Sequence, residues 1–173
     1  MNALAYFKGI TTFVFDVDGV LTDGTVLLLE NGLQARQMHV KDGLALQMAV
    51  KNGYKVIVIS GGTSAPVKDR LYYLGLQDVY IGVKDKVAFL EEYFNTHQLT
   101  WNEVLYMGDD LPDMPVLQKA ALSCCPADAV EEVKKICTYI SNVKGGYGCV
   151  RDVIEKTLKL NGHWQYSTEV TSK

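Results

Sequence analysis

Long apolar runs, Cys-x-x-Cys pairs and blocks of basic residues are all missing from this chain. No apolar segment approaches the roughly 20 residues that cross a bilayer, and residues 1–10 carry one lysine without the apolar core of a signal peptide. We therefore expect a cytoplasmic protein with no membrane partner. The net charge of -3 and the lack of any Lys/Arg run argue against a nucleic-acid partner.

The four cysteines are not spaced for a metal or a redox pair. Cys124 and Cys125 are adjacent, whereas Cys137 and Cys149 stand alone, so there is no Cys-x-x-Cys pair. No histidine completes a zinc site, and His39, which has no nearby His or Cys, is interpreted as a hairpin-end side chain. Buried free thiols in a reducing compartment are the expectation for the cysteines.

The alternation of apolar runs and helical patterns indicates one α/β domain. Asn31-Gly32 between two extended stretches predicts a β-hairpin over 25–40. The remaining pattern predicts a doubly wound, Rossmann-like parallel sheet, with the hairpin as its insertion and no cap domain. We expect this domain over 1–162 and a polar tail over 163–173. The predicted strands are 13–15, 55–59, 79–81, 104–107, 121–124 and 137–140, and the predicted helices are 43–52, 63–74, 84–97, 112–120 and 150–160.

Two carboxylates follow the first predicted strand directly. Asp16 and Asp18 come after the apolar run 13–15, and Gly19 lets the backbone turn away and leave room for a ligand. Such a strand lies inside a parallel sheet, whose ligands bind outside the carboxyl ends of the strands. A buried acidic pair is costly unless a cation or a proton compensates it. The pair therefore predicts a metal ion or a proton-transfer role.

Polar side chains also end or follow the later strands. Ser60 follows one strand, Lys86 begins a helix, and Asp109, Asp110 and Asp113 follow another strand. Carboxylates suit a hard cation, and a hydroxyl with an ammonium group suits a phosphoryl group. Ser60 alone would be a simple turn residue, but the helix dipole disfavours a solvated Lys86. Asp113 is either a helix-start carboxylate or the partner of Lys86.

The order of these groups resembles the haloacid dehalogenase superfamily of phosphatases over nearly all of the chain. Asp16-x-Asp18-Gly19 fits the first motif, Ser60 the second, Lys86 the third and Gly108-Asp109-Asp110-x-x-Asp113 the fourth. Within the superfamily the chain is most similar to the capless sugar-acid phosphatases, whose type member hydrolyses 3-deoxy-D-manno-octulosonate 8-phosphate. The segments that carry this resemblance are 16–24, 40–43, 70–75, 82–86, 108–113 and 145–152.

The resemblance implies a Mg²⁺-dependent phosphatase of lipopolysaccharide biosynthesis that works through an aspartyl phosphate. Asp16 would be the nucleophile, Asp18 the general acid and base, and Ser60 and Lys86 the groups that stabilise the phosphoryl oxygens. The ligands of Mg²⁺ would be Asp16, the Asp18 carbonyl and Asp109, with Asp110 and Asp113 supporting them. The expected substrate contacts are Asp18, His39, Val40, Lys41, Asp42, Gly43, Ser60, Gly61, Arg70 and Lys86.

Two departures from the family pattern leave the sugar open. Gly62 and Gln47 stand where the family usually has basic residues, so a nine-carbon 2-keto-3-deoxy sugar acid 9-phosphate is the alternative to the eight-carbon 8-phosphate. A phospho-acceptor receiver domain is a remote alternative, but a receiver needs no acid or base at Asp18. The intact set of carboxylates argues against a non-catalytic scaffold.

The hairpin predicts self-association. Residues 26–29 form a continuous apolar run that one small domain cannot cover on both faces. Because these capless phosphatases are tetramers, the resemblance implies a homotetramer in which each active site is covered by a neighbouring subunit.

Overall fold

Six short strands form a central parallel sheet in the computed structural model, which describes residues 4–165 and Val170. These strands are β1 Thr12–Phe15, β4 Lys55–Ile59, β5 Asp78–Tyr80, β6 Val104–Met107, β7 Leu122–Cys125 and β8 Tyr139–Ile140, and the hairpin strands are β2 Leu27–Leu28 and β3 Gln34–Ala35. The sheet order is β5-β4-β1-β6-β7-β8, with all pairs parallel. The doubly wound α/β prediction is confirmed.

Seven helices accompany these strands in the described residues. They are α1 Leu4–Phe7, α2 Val40–Lys51, α3 Ala65–Tyr73, α4 Lys86–His97, α5 Met114–Leu117, α6 Glu131–Ile136 and α7 Cys149–Leu160. Helices α1 and α6 were not predicted, because helices of four and six residues are too short to show a periodic pattern of apolar residues. Helix α2 begins at Val40 rather than at residue 43. Helix α5 is shorter than predicted because a 3-10 turn, Leu111–Asp113, precedes it.

The sheet is covered on both faces, as side-chain alternation along each strand requires. Phe13 and Phe15 of β1 face one hydrophobic cluster, with residues of α2 and α7, and Val14 faces a second cluster with residues of α4. All four residues of β1 are buried. This explains why an uninterrupted apolar run marked the strand in the sequence.

Between β1 and β4 lie the loop 16–23, the hairpin and helix α2. The paired segments of the hairpin are shorter than expected, and an isolated bridge joins Thr22 to Met38 at its base. No helix of the described part of the chain is long and apolar enough to cross a bilayer.

The chain passes from β1 to β4 and β5 on one side and returns to β6 on the other side of β1. The crevice at such a switch point, outside the carboxyl ends of the strands, is the expected ligand site of a doubly wound sheet. Asp16, Ser60 and Gly108 are the residues that directly follow β1, β4 and β6.

Candidate active site

The catalytic loop, Asp16–Asp23, begins at the carboxyl end of β1. The Asp16 amide donates to the Met107 carbonyl at 3.0 Å, and a turn, Val17–Leu21, follows, whose backbone is non-helical at Asp18 and Gly19. Gly19 has a φ of 84°, and a Cβ atom built on it would lie 2.0 Å from the Asp109 Oδ2 atom. Any side chain at position 19 would therefore displace Asp109 from the loop that carries Asp16 and Asp18.

Lys86 joins the first and fourth motifs. It is the first residue of α4, whose N-cap Asp85 accepts a hydrogen bond from the Ala88 amide. The Lys86 Nζ atom donates to Asp16 Oδ1 at 2.8 Å and to Asp113 Oδ1 at 2.7 Å. Of the two interpretations of Asp113, the structure supports the one in which this carboxylate is the partner of Lys86.

Asp113 accepts hydrogen bonds on both of its oxygens and is 1 % exposed. Its Oδ1 atom also accepts from the Tyr106 hydroxyl at 2.5 Å, and its Oδ2 atom accepts from the backbone amides of Asp109 at 3.0 Å and Asp110 at 3.4 Å. A Cβ atom on Gly108 would lie 2.4 Å from the Asp113 side chain, so the missing side chain makes this packing possible. Asp113 thus fixes Lys86 and the loop that carries Asp109.

The electrostatics of the site favour the binding of a cation. Burial, with repulsion from Asp113, raises the pKa of Asp16 to about 6 even though Lys86 acts in the opposite direction. Burial and the Asp16 carboxylate raise the pKa of Asp109 to about 7. Carboxylate oxygens of Asp16, Asp109 and Asp113 lie within 4.8 Å of one another. A divalent cation on Asp16 and Asp109 would relieve this repulsion, and an all-oxygen donor set fits Mg²⁺.

Burial alone would lower the pKa of Lys86, but the carboxylates of Asp16 and Asp113 raise it above its usual value. Lys86 is therefore a fixed positive charge across the neutral pH range. Burial and Asp113 likewise raise the pKa of Tyr106, so its hydroxyl stays a donor.

The predicted residues of the four motifs meet in one pocket of about 510 Å³. Its lining includes Asp16, Asp18, Ser60, Gly61, Lys86, Asp109, Asp110 and Asp113. The Ser60 Oγ atom accepts from the Gly62 amide at 3.0 Å, which holds the second motif in a tight turn. Asp110 caps the turn that follows it and accepts from the Leu111 amide at 2.7 Å.

The remaining predicted substrate contacts lie outside this pocket within the chain. His39 is the N-cap of α2; Val40 and Lys41 are exposed, and Asp42 and Gly43 are buried. The buried Asp42 Oδ1 atom accepts from the Arg151 amide at 2.6 Å. Arg70 lines a neighbouring groove of about 810 Å³ between the hairpin and α3. The role of these residues in binding stays a prediction.

Two features of the site, Tyr106 and Arg36, were missed in the sequence. Tyr106 is a buried tyrosine in a strand, and its need for a hydroxyl partner was the available signal. Arg36 donates through Nε to Asp18 Oδ1 at 2.6 Å, with no signal in the sequence. The glycines after residue 144 pack on the catalytic loop: a Cβ atom on Gly145 would lie 1.8 Å from the Gly19 carbonyl oxygen.

Known proteins resemble this chain in sequence. A family model for haloacid dehalogenase-like hydrolases matches residues 75–151. The 3-deoxy-D-manno-octulosonate 8-phosphate phosphatase of Escherichia coli K12 is 32% identical over 161 residues, which are 93% of this chain and 86% of that protein.

Solved structures extend the likeness to the fold. The Yersinia pestis 3-deoxy-D-manno-octulosonate 8-phosphate phosphatase has a TM-score of 0.90 at 30% identity, over 93% of this chain and 87% of its own. The Moraxella catarrhalis phosphatase, solved with magnesium, phosphate and KDO, has a TM-score of 0.87 at 32% identity, over 91% of this chain and 90% of its own.

The fold and the site together define a capless phosphatase of the haloacid dehalogenase type, a phosphoric monoester hydrolase. More closely, the chain belongs to the family of the 3-deoxy-D-manno-octulosonate 8-phosphate phosphatases.

Proposed function

We propose that this protein hydrolyses 3-deoxy-D-manno-octulosonate 8-phosphate, with Mg²⁺, through an aspartyl phosphate on Asp16. The observation that carries the proposal is the convergence of Asp16, Asp18, Ser60, Lys86 and Asp109 on one pocket. The relatives of this chain that are named for the same reaction support the choice of substrate.

The first half of the reaction moves the phosphoryl group to the protein. A carboxylate oxygen of Asp16 forms a bond to phosphorus as the bond from phosphorus to the sugar oxygen breaks. Asp18, two residues on and half-exposed at the pocket, gives its proton to the departing oxygen. Ser60, nearby backbone amides and Lys86 stabilise the charge on the equatorial oxygens.

The second half of the reaction hydrolyses the aspartyl phosphate and regenerates free Asp16. Asp18, now a carboxylate, takes a proton from water, whose oxygen attacks phosphorus and releases Asp16 and inorganic phosphate. Asp16, Asp109 and the Asp18 carbonyl would hold Mg²⁺, which supplies the positive charge that lets an anionic phosphate approach a carboxylate.

Substrate specificity and assembly complete the proposal. We assign sugar contacts to the segment His39–Gly43, to Gly61 and to Arg70. Leu27, Leu28 and Leu33 of the hairpin are 62%, 73% and 62% exposed, which supports a homotetramer whose hairpins pack together. We further propose one catalytic domain over 1–162, a tail over 163–173, of which residues 166–169 and 171–173 lie outside the described residues, and a cytoplasmic location.

The test is phosphate release from a panel that holds the eight-carbon and nine-carbon sugar acid phosphates and plain aldose phosphates. We expect the eight-carbon substrate to have the highest kcat/KM and Asp16→Asn to abolish turnover. Asp69→Asn, the same change at an exposed position of α3, is the matched control and should keep full activity. A preference for the nine-carbon substrate would replace the substrate and keep the reaction, whereas activity in Asp16→Asn would refute the mechanism.

A further inference from the structure

Arg36 reaches the active site from the hairpin. It follows β3 directly, and its Nε atom donates to Asp18 Oδ1 at 2.6 Å. The Arg36 side chain is 11% exposed and that of Asp18 is 38% exposed. A guanidinium group is placed so deeply only where it is paired, and here its partner is the proposed acid and base.

The terminal nitrogens of this guanidinium group have no hydrogen-bond partner among the described residues. The bond to Asp18 through Nε is the single hydrogen bond of Arg36 within the described residues. A guanidinium group carries five N–H donors in a rigid fork, and its terminal nitrogens match the two oxygens of a carboxylate. The terminal nitrogens of Arg36 are therefore donors with no acceptor among the described residues, free to bind a ligand in place of solvent.

The surroundings show where that acceptor would lie. Arg36 lines the groove of about 810 Å³ between the hairpin and α3. A small cavity beside it is lined by Asp18, Ser60 and Gly62, which also line the catalytic pocket, and by Arg36 and Ser64, which also line the groove. Arg36 thus stands at the boundary between the catalytic pocket and the groove.

Gly62 leaves space at this boundary. A Cβ atom on Gly62 would lie 3.1 Å from Asp18 Oδ2 and 3.3 Å from Ser60 Oγ, so any side chain there would begin against both groups. On the proposed function, a substrate whose phosphate lies at Asp16 would extend past Asp18 toward the groove, and glycine adds no side chain in its way. Arg36 is the cation at this boundary, hydrogen-bonded to Asp18 itself, whereas Lys84 and Lys86 line the catalytic pocket.

We propose that Arg36 is a specificity-determining residue that binds the carboxylate of the sugar acid through its terminal nitrogens while its Nε atom holds Asp18. This rests on the proposed function, since it requires a substrate that carries a carboxylate as well as a phosphate. A phosphate ester without a carboxylate leaves the outer edge of Arg36 unpaired. Selection of the substrate and placement of the proton donor are then joined in one side chain.

The experiment compares two substrates in Arg36→Met, with Lys119→Met as the matched control. Lys119 forms an exposed ion pair with Glu91 at 2.9 Å, outside the site. The substrates are the eight-carbon sugar acid 8-phosphate and an aldopentose 5-phosphate, which has no carboxylate. We expect the preference for the sugar acid, as a ratio of kcat/KM values, to fall about 10- to 100-fold in Arg36→Met, the range for a charge-assisted pair. The control should keep the wild-type ratio.

A second readout separates binding from positioning. Inhibition by the unphosphorylated sugar acid should weaken at least about tenfold in Arg36→Met, while inhibition by inorganic phosphate stays unchanged. Arg36→Lys keeps the charge without the fork and should give an intermediate ratio. If Arg36→Met does not fold, Arg36→Lys alone decides: an unchanged ratio and unchanged inhibition by the sugar acid overturn the inference.

The outcomes are distinct from those of the proposed function. A wild-type protein that does not prefer the sugar acid phosphate contradicts the proposed function. A wild-type preference that survives Arg36→Met contradicts the role of Arg36. Equal losses for both substrates, with unchanged inhibition by the sugar acid, would reduce Arg36 to a support for Asp18 and also overturn the inference.

Discussion

Replacing Lys86 by methionine tests the charge balance of the active site. Lys86 is 9 % exposed and pairs with the buried carboxylates of Asp16 and Asp113 at 2.8 Å and 2.7 Å. Methionine keeps most of the side-chain volume and removes the charge. Breaking a buried ion pair from one side costs about 3–5 kcal/mol, because the remaining charges lose their compensation. We expect a loss of that size in the free energy of unfolding at pH 8, without divalent cations.

The stability lost in Lys86→Met should be smaller at low pH than at high pH. In the wild type the pKa of Asp16 is raised from 3.8 to about 6, so the related stability is present below pH 3.8 and is lost as the pH rises through 6. Removing Lys86 takes away the group that lowers the pKa of Asp16, so that pKa rises further. At pH 5 Asp16 can then be protonated at little cost, and the loss should shrink to about 1–2 kcal/mol.

The assay is urea unfolding of both proteins at pH 8 and pH 5 in the presence of EDTA. Lys119→Met is the control, and its exposed ion pair with Glu91 should contribute less than about 1 kcal/mol at either pH. Equal losses at the two pH values, or a loss at pH 8 no larger than that of the control, would refute this account of the buried charges.

Three further predictions concern the cation and the supports of the site. The pKa values of Asp16 and Asp109 are raised to about 6 and about 7, so the stability of the metal-free protein should fall as the pH rises from 4 to 7. Saturating Mg²⁺ should therefore raise the melting temperature more at pH 8 than at pH 5.5. The same gain in melting temperature at both pH values would contradict this. Gly145→Ala should lower kcat at least about tenfold by displacing the catalytic loop, whereas Gly9→Ala, where a Cβ atom meets nothing within 4 Å, should be neutral in the same assay; wild-type kcat in Gly145→Ala would show that the loop tolerates the shift. Tyr106→Phe should cost about 1–2 kcal/mol in urea unfolding and lower kcat with little change in KM, since its hydroxyl supports Asp113, which holds Lys86 in place; a change in KM alone would contradict that supporting role.

The catalytic half of the site could be predicted because its groups follow strands that the sequence marks clearly. The buried run before Asp16 and the glycine after Asp18 identify a strand and a tight turn from neighbouring residues alone. Strand alternation then placed Ser60, Lys86 and Asp109 at one edge of the sheet. Each of these inferences uses local pattern and the general topology of parallel sheets.

The rest depends on side-chain partners that local pattern does not specify. Arg36 pairs with Asp18 because the hairpin folds back over the catalytic loop, and Asp42 accepts from the Arg151 amide 109 residues away. Gly145 meets Gly19 through a backbone contact with no side-chain signature. These contacts follow from tertiary packing, so sequence reasoning could name Asp42 only through family resemblance.

The nucleophilic role of Asp16 is the central claim, and trapping the intermediate tests it most directly. The wild-type protein with Mg²⁺ is mixed with the eight-carbon sugar acid phosphate, labelled in its phosphate, and quenched in acid during turnover. The proteolysed protein is then searched for the labelled peptide by mass spectrometry. We predict label on the peptide that contains Asp16, at the Asp16 carboxylate, and none in Asp16→Asn. Label on another residue, or rapid turnover with no labelled protein at any quench time, would contradict the account.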